Sequence, residues 1–118
     1  MKTKGISPKD FVVGLLKRSD CSVQVAACLS DKTGIHAWGW NSAGMGFGEH
    51  AEIACLRRSN FKRVAKSVMW VAAKRRKSTS IVIARPCAAC WSSAKQCRYI
   101  VYRRKGETWE ILDPSRIP

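Results

Sequence analysis

The sequence predicts an α/β domain built on a mixed sheet, and three observations carry that prediction. Residues 22–29 and 35–40 read as two extended segments around the turn Asp31-Lys32-Thr33-Gly34, which is a hairpin. Apolar stripes at helical spacing flank it, with Phe11, Val12, Leu15 and Leu16 before and Ile53, Ala54 and Leu56 after. Finally, residues 99–102 and 108–112 are extended and too close in the chain for a crossover helix, so they should be antiparallel neighbours. A chain of 118 residues holds one core and no second module, so residues 1–118 are expected to form a single domain.

The first helix starts with Ser7 as N-cap, Pro8 at the first helical position and Asp10 near the positive dipole end, and it ends near Ser19-Asp20. In the second strand of the hairpin, period two puts His36, Trp38 and Trp40 on one face. Two tryptophans there serve either as a stacking platform for bases or, more simply, as cover under a helix. The loop from Asn41 to Gly48 holds Gly44, Gly46 and Gly48, which allow backbone to approach a ligand closely. It lacks the Walker spacing and reads as a substrate-site loop, with Phe47 or Met45 as a lid contact.

A helix then begins at Glu49 or His50, with a break or an end near Ser59-Asn60. Residues 68–73 fit helix or buried strand; strand is preferred because the chain must return across the sheet. Lys74-Arg75-Arg76-Lys77 is a basic turn, residues 79–84 are extended, and Pro86 opens a helix over residues 87–96 that carries Trp91.

Lysine and arginine number 22 against 8 acidic residues, a net charge of +14 spread along the whole chain. Such an excess favours a polyanionic partner, most simply nucleic acid. No apolar stretch is long enough for a signal peptide or a membrane span, so a reducing, cytoplasmic setting is expected. Cys21, Cys28, Cys55 and Cys97 then read as buried thiols rather than bridges.

The chemistry sits in His50-Ala51-Glu52 and Pro86-Cys87-Ala88-Ala89-Cys90. One imidazole and two thiolates suit Zn(II), and a catalytic zinc keeps three protein ligands and an open position for water. Cys87 and Cys90, at i and i+3, share the first turn of one helix. A structural zinc would need a fourth protein ligand: Cys55 and Cys97 are poorly placed for it, and only His36 is left open by local geometry. Zinc lowers the pKa of bound water to about 7, and Glu52 would carry that proton to a substrate ring nitrogen. Reading the Cys-x-x-Cys as a redox motif would leave His-x-Glu without a role.

These motifs resemble the cytidine deaminase superfamily, in the branch with His as first ligand: His-x-Glu followed by Pro-Cys-x-x-Cys is the signature of zinc nucleobase deaminases. Ala37-Trp38-Gly39-Trp40-Asn41, His50-Ala51-Glu52-Ile53 with Leu56-Arg57, and the segment from Arg85 through Tyr102 carry the likeness over nearly the whole chain. It implies a three-layer fold with a five-stranded mixed sheet flanked by helices. It also implies zinc on His50, Cys87 and Cys90, Glu52 as the catalytic proton carrier, Asn41 against the sugar and the main chain at Ala51 against the base. Dimers or tetramers are common in the family, and the terminal hairpin looks like that of free-cytidine and small viral-type members.

The expected activity is hydrolytic deamination of cytosine to uracil in a nucleoside, a nucleotide or, favoured by the charge, single-stranded DNA or RNA, with Phe47 and Trp91 as further substrate contacts. Two alternatives stand: adenine deamination on tRNA or DNA, and a non-catalytic nucleic-acid-binding module with structural zinc.

Overall fold

Local sequence sets the helix ends in the computed structural model, which describes residues 6–42, 50–76, 81–82, 94–104 and 108–114. Ser7, in extended conformation, caps α1 (Pro8–Leu15) by accepting from the Asp10 amide at 3.4 Å, and Pro8 occupies the first turn. A 3-10 turn, Leu16–Arg18, carries the chain to Ser19, where it becomes extended. Asn60 caps the short α3 (Phe61–Val64) in the same way, accepting from the Lys62 amide at 3.0 Å, so the helical run after His50 is two helices, α2 (Ala51–Arg57) and α3.

Strands β1 (Val23–Asp31) and β2 (Gly34–Trp40) form the expected hairpin. Asp31 Oδ1 accepts from the Thr33 amide at 2.9 Å and hydroxyl at 2.7 Å, and Gly34 takes a φ of 117° that side chains rarely adopt. Residues 68–73 are indeed strand, within β3 (Val68–Arg75), which pairs antiparallel to β1 from Val23↔Arg75 to Ser30↔Val68. β4 (Ile81–Val82) lies antiparallel beside Lys74 and Ala73. β5 (Tyr99–Arg103) is parallel to β3, and β6 (Trp109–Leu112) is antiparallel to β5, as the short connection requires. The sheet order is β2-β1-β3-β5-β6, with β4 beside the far half of β3.

Both faces of this mixed sheet are covered. On one, Val12 and Leu15 of α1 and Leu16 of the turn after it pack on Ala26, Cys28, Ile35 and Ala72. On the other, Ala51, Cys55 and Val64 pack on Ala27, Leu29, Met69, Val71 and Ile100, with Ala94 and Cys97 closing the layer. Adjacent residues of β1 are thus buried on opposite faces, as befits a strand inside a three-layer fold.

One expectation fails in β2. Leu29 pairs with Ala37 but Ser30 pairs with Ile35, leaving His36 as the extra residue of a β-bulge. The bulge reverses the alternation: Ile35, Trp38 and Trp40 face α1, whereas His36 and Ala37 face the α2 and α3 layer. His36 therefore does not share a face with the two tryptophans.

Candidate active site

Helix α2 runs antiparallel to β2 and is pressed onto it. Gly39 lies beneath Ala54 and Cys55, and past the helix C-terminus Arg58 Nη1 reaches the Trp38 carbonyl at 3.5 Å. The opposite end of α2 therefore points toward the end of β2, where Asn41 leaves the sheet. His50 is the N-cap, with φ −73° and ψ 145°; its carbonyl accepts the Ala54 amide at 3.0 Å, and its backbone rather than its ring caps the helix. His50 is exposed, whereas Ala51 is fully buried and Glu52, one residue further, is only 5% exposed. A carboxylate is rarely buried without a partner or a chemical role.

Asn41 ties the same end of the sheet together. Its Oδ1 accepts from the Val25 amide at 2.9 Å and the Ser19 hydroxyl at 2.5 Å, and its Nδ2 donates to the Val23 carbonyl at 2.9 Å. These bonds use both acceptor lone pairs and one of the two N–H groups, so a sugar contact through this side chain has one N–H left. Ser19 was not apparent from the sequence as part of this end. Gly39 was missed as well, although a glycine inside a strand is a signal that could have found it, since it often marks close backbone approach.

The remaining thiols separate from the zinc motif. Burial pushes the Cys28 and Cys97 thiols up to about 12 and raises Cys55 well above its ordinary value, so all three are protonated and poor ligands at neutral pH. Cys28, Cys55 and Cys97 are buried and unbridged as expected; Cys21 is unbridged but only half-buried, because it lies in the bend before β1. His36 is also removed as a fourth ligand. Its Nε2 meets Ser67 Oγ at 2.7 Å, next to the start of β3, at the opposite end of the sheet from Asn41.

Phe47, Cys87, Cys90 and Trp91 lie outside the described residues, as does most of the helix expected over residues 87–96, of which Ala94 marks the end. Among the described residues no three His, Cys, Asp or Glu side chains form a metal-sized group, and two of the three expected ligands are not among them. By kind, the donors fit zinc: an imidazole at an exposed helix N-cap, with two motif thiols distinct from the buried, protonated ones.

No family model and no curated protein matches the chain. Solved structures do. A cytidine deaminase from Burkholderia pseudomallei superposes with a TM-score of 0.68 at 14% identity, covering 92% of this chain and 91% of that one. The chain has the cytidine deaminase-like fold. A dCMP deaminase from the cyanophage S-TIM5 shares this fold, with a TM-score of 0.57 at 18% identity over 81% of this chain and 79% of that one. So does a cytidine deaminase variant from Mycobacterium tuberculosis, with a TM-score of 0.58 at 12% identity over 91% and 88%. In this deaminase-like fold, the described site residues gather at one end of the sheet, while among the described residues no helix is long and apolar enough to cross a membrane.

Proposed function

We propose that the protein is a zinc-dependent hydrolase that deaminates cytosine to uracil in single-stranded nucleic acid. The observation that carries this is Glu52: a carboxylate buried one residue inside the helix that His50 caps, at the working end of a deaminase-like fold. His50, Cys87 and Cys90 would hold the metal. Bound zinc supplies Lewis acidity, which brings the pKa of a water to about 7.

The chain's own residues then have defined tasks. Glu52 accepts the proton of the attacking water and delivers it to the ring nitrogen N3 as the new bond forms at C4. It then takes the proton of the new C4 hydroxyl and passes it to the exocyclic amine, so that the C4–N bond breaks, the C4 carbonyl forms, ammonia leaves and uracil remains. Burial of Glu52 and Ala51 excludes bulk water from this relay. With His36 held by Ser67 and the buried thiols protonated, a fourth protein ligand finds no support among the described residues, which favours catalysis over a structural metal.

The polynucleotide assignment rests on charge and on the strand edge. The net charge is +14. Beside Asn41, the Trp40 ring has the guanidinium carbons of Arg18 and Arg58 over it at 5.4 and 5.0 Å, and Trp38 on the same edge strand is 37% exposed. Arginine and tryptophan together suit phosphates and stacked bases.

The test is to incubate zinc-loaded protein with cytidine, dCMP, adenosine, and single-stranded DNA and RNA at two salt concentrations. Uracil formation in the strand, weakened by salt, is expected. Turnover of free nucleosides alone, insensitive to salt, would remove the polynucleotide claim. Undiminished turnover by Glu52→Ala would remove the mechanism, and zinc-dependent folding without any turnover would leave the structural-zinc module.

A further inference from the structure

At the end of the sheet away from Glu52, four segments meet around a cleft of about 690 Å³: the β1–β2 turn, α3, the residues just after it, and the approach to β5. Asp31, Lys32, Thr33, Arg63, Lys66 and Arg98 line it. The charges are not balanced locally. Arg63 grips Asp31 with two bonds, Nε to Oδ2 at 2.7 Å and Nη2 to Oδ1 at 2.8 Å, and Nη2 also reaches Thr33 Oγ1 at 2.6 Å. Asp31 Oδ1 additionally takes the Thr33 amide and hydroxyl. The one acid lining the cleft among the described residues is therefore committed to Arg63.

That leaves Lys32, Lys66 and Arg98, all exposed, facing one concavity with a surplus of three positive charges. Like charges gathered in a cleft repel one another and attract polyanions. Arg63 is immobilised by Asp31 and Thr33 through Nε and Nη2, with its two Nη1 donors outside those bonds and held in place for a further acceptor oxygen. All the described residues that line it carry charged or polar side chains.

We propose that this cleft binds the phosphodiester backbone of single-stranded nucleic acid, as a second contact remote from the catalytic end. It rests on the polynucleotide reading above and adds to it: a strand long enough to run along the molecule, whose greatest extent is 35 Å, is held at both ends of the sheet. Lys32, Lys66 and Arg98 would fix the position of the strand without reading its sequence.

The experiment compares the wild type with a Lys32→Gln/Lys66→Gln/Arg98→Gln variant by fluorescence anisotropy. The probes are a single-stranded oligonucleotide that spans the molecule and a short one that covers only the catalytic end. The expected result is weaker binding of the long strand alone, with a log–log salt slope shallower by about 2, since each lost phosphate contact on a single strand removes about 0.7. Deamination of cytosine in the short strand should stay unchanged. If the triple variant misfolds by circular dichroism, Lys66→Gln alone should lower the slope by about 0.7. Unaltered binding of the long strand by the variants would overturn the cleft and leave the polynucleotide reading standing. Failure of the wild type to bind either strand would overturn both. Competition by inorganic phosphate at constant ionic strength, as effective as competition by unlabelled strand, would assign the cleft to a small anion and overturn the backbone contact.

Discussion

A methyl group on Gly39 would stand 2.6 Å from the amide nitrogen of Cys55 and 2.9 Å from Ala54, so α2 rests on β2 with no room for any side chain between them. Gly39→Ala must push the helix away, and overpacking of this kind costs about 1 to 3 kcal/mol. Because His50 and Glu52 ride on that helix, kcat should fall along with the melting temperature. Gly14→Ala is the matched control: nothing lies within 4 Å of a Cβ there, and a glycine inside a helix gains about 0.5 to 1 kcal/mol on becoming alanine. Thermal melts and steady-state rates on both variants check this; a Gly39→Ala enzyme with normal kcat would show that α2 need not be held so closely.

Glu52→Gln keeps the shape of the buried side chain and removes its ability to accept a proton. The fold and bound metal should persist while kcat drops about 10² to 10⁴-fold, the usual contribution of a positioned acid–base group. Metal content by elemental analysis, measured with the rate, separates loss of proton transfer from loss of zinc.

Asn41→Asp places an oxygen where Nδ2 now donates to the Val23 carbonyl, so an acceptor faces an acceptor at the end of the sheet. Leaving that carbonyl without its donor should cost about 1 to 3 kcal/mol. The bonds to Val25 and Ser19 can persist, which makes the loss specific. Chemical denaturation should register the change even without substrate; an effect confined to KM would make Asn41 a substrate contact first and a tie second.

Much of the fold was legible because its signals are local. Ser7, Pro8 and Asp10 name the start of α1, the Asp31 turn names the hairpin, and Arg103 is too close to Trp109 for anything but antiparallel pairing. His50 and Glu52 were legible as a motif, and the structure supplies the burial of Glu52 that a motif cannot carry. What escaped depends on long-range register. The bulge at His36 exists because β1 and β2 slip by one residue at Leu29 and Ser30, and no period within β2 reports on its partner. The roles of Ser19 and Arg63 likewise arise from pairs 22 and 32 residues apart in the chain.

His36 makes stability depend on pH in a direction that follows from its bonds. Ser67 Oγ gives its proton to the Arg63 carbonyl at 2.7 Å, so the 2.7 Å contact to His36 Nε2 places the imidazole proton on Nε2. Nδ1 is buried with no partner among the described residues. Burial, followed by the positive charge of Arg63, holds the His36 pKa below its usual 6.5, against the pull of Asp31. The unfolded chain therefore binds the proton more readily than the folded one. Stability is fully present above 6.5 and is lost as the pH falls from there toward the lowered folded value. His36→Gln retains a donor toward Ser67 without the titration, so its urea midpoint should vary less than that of the wild type between neutral and mildly acidic pH.

Asp31→Asn should separate stability from binding by moving them in opposite directions. The Arg63 bonds hold the Asp31 carboxyl well below the usual carboxylate range, so its stabilising contribution is present above about pH 4 and is lost as the pH falls below that value. The Arg63 side chain is 36% exposed, and solvent screening brings the expected loss at neutral pH to about 1 kcal/mol. The same substitution releases Arg63 from the one acid among the cleft's described residues and raises their surplus from three charges to four. Single-stranded nucleic acid should then bind more tightly at low salt, with a salt slope steeper by about 0.7. A variant that is both less stable and a weaker binder would mean that Asp31 organises the cleft through Arg63 more than it neutralises it.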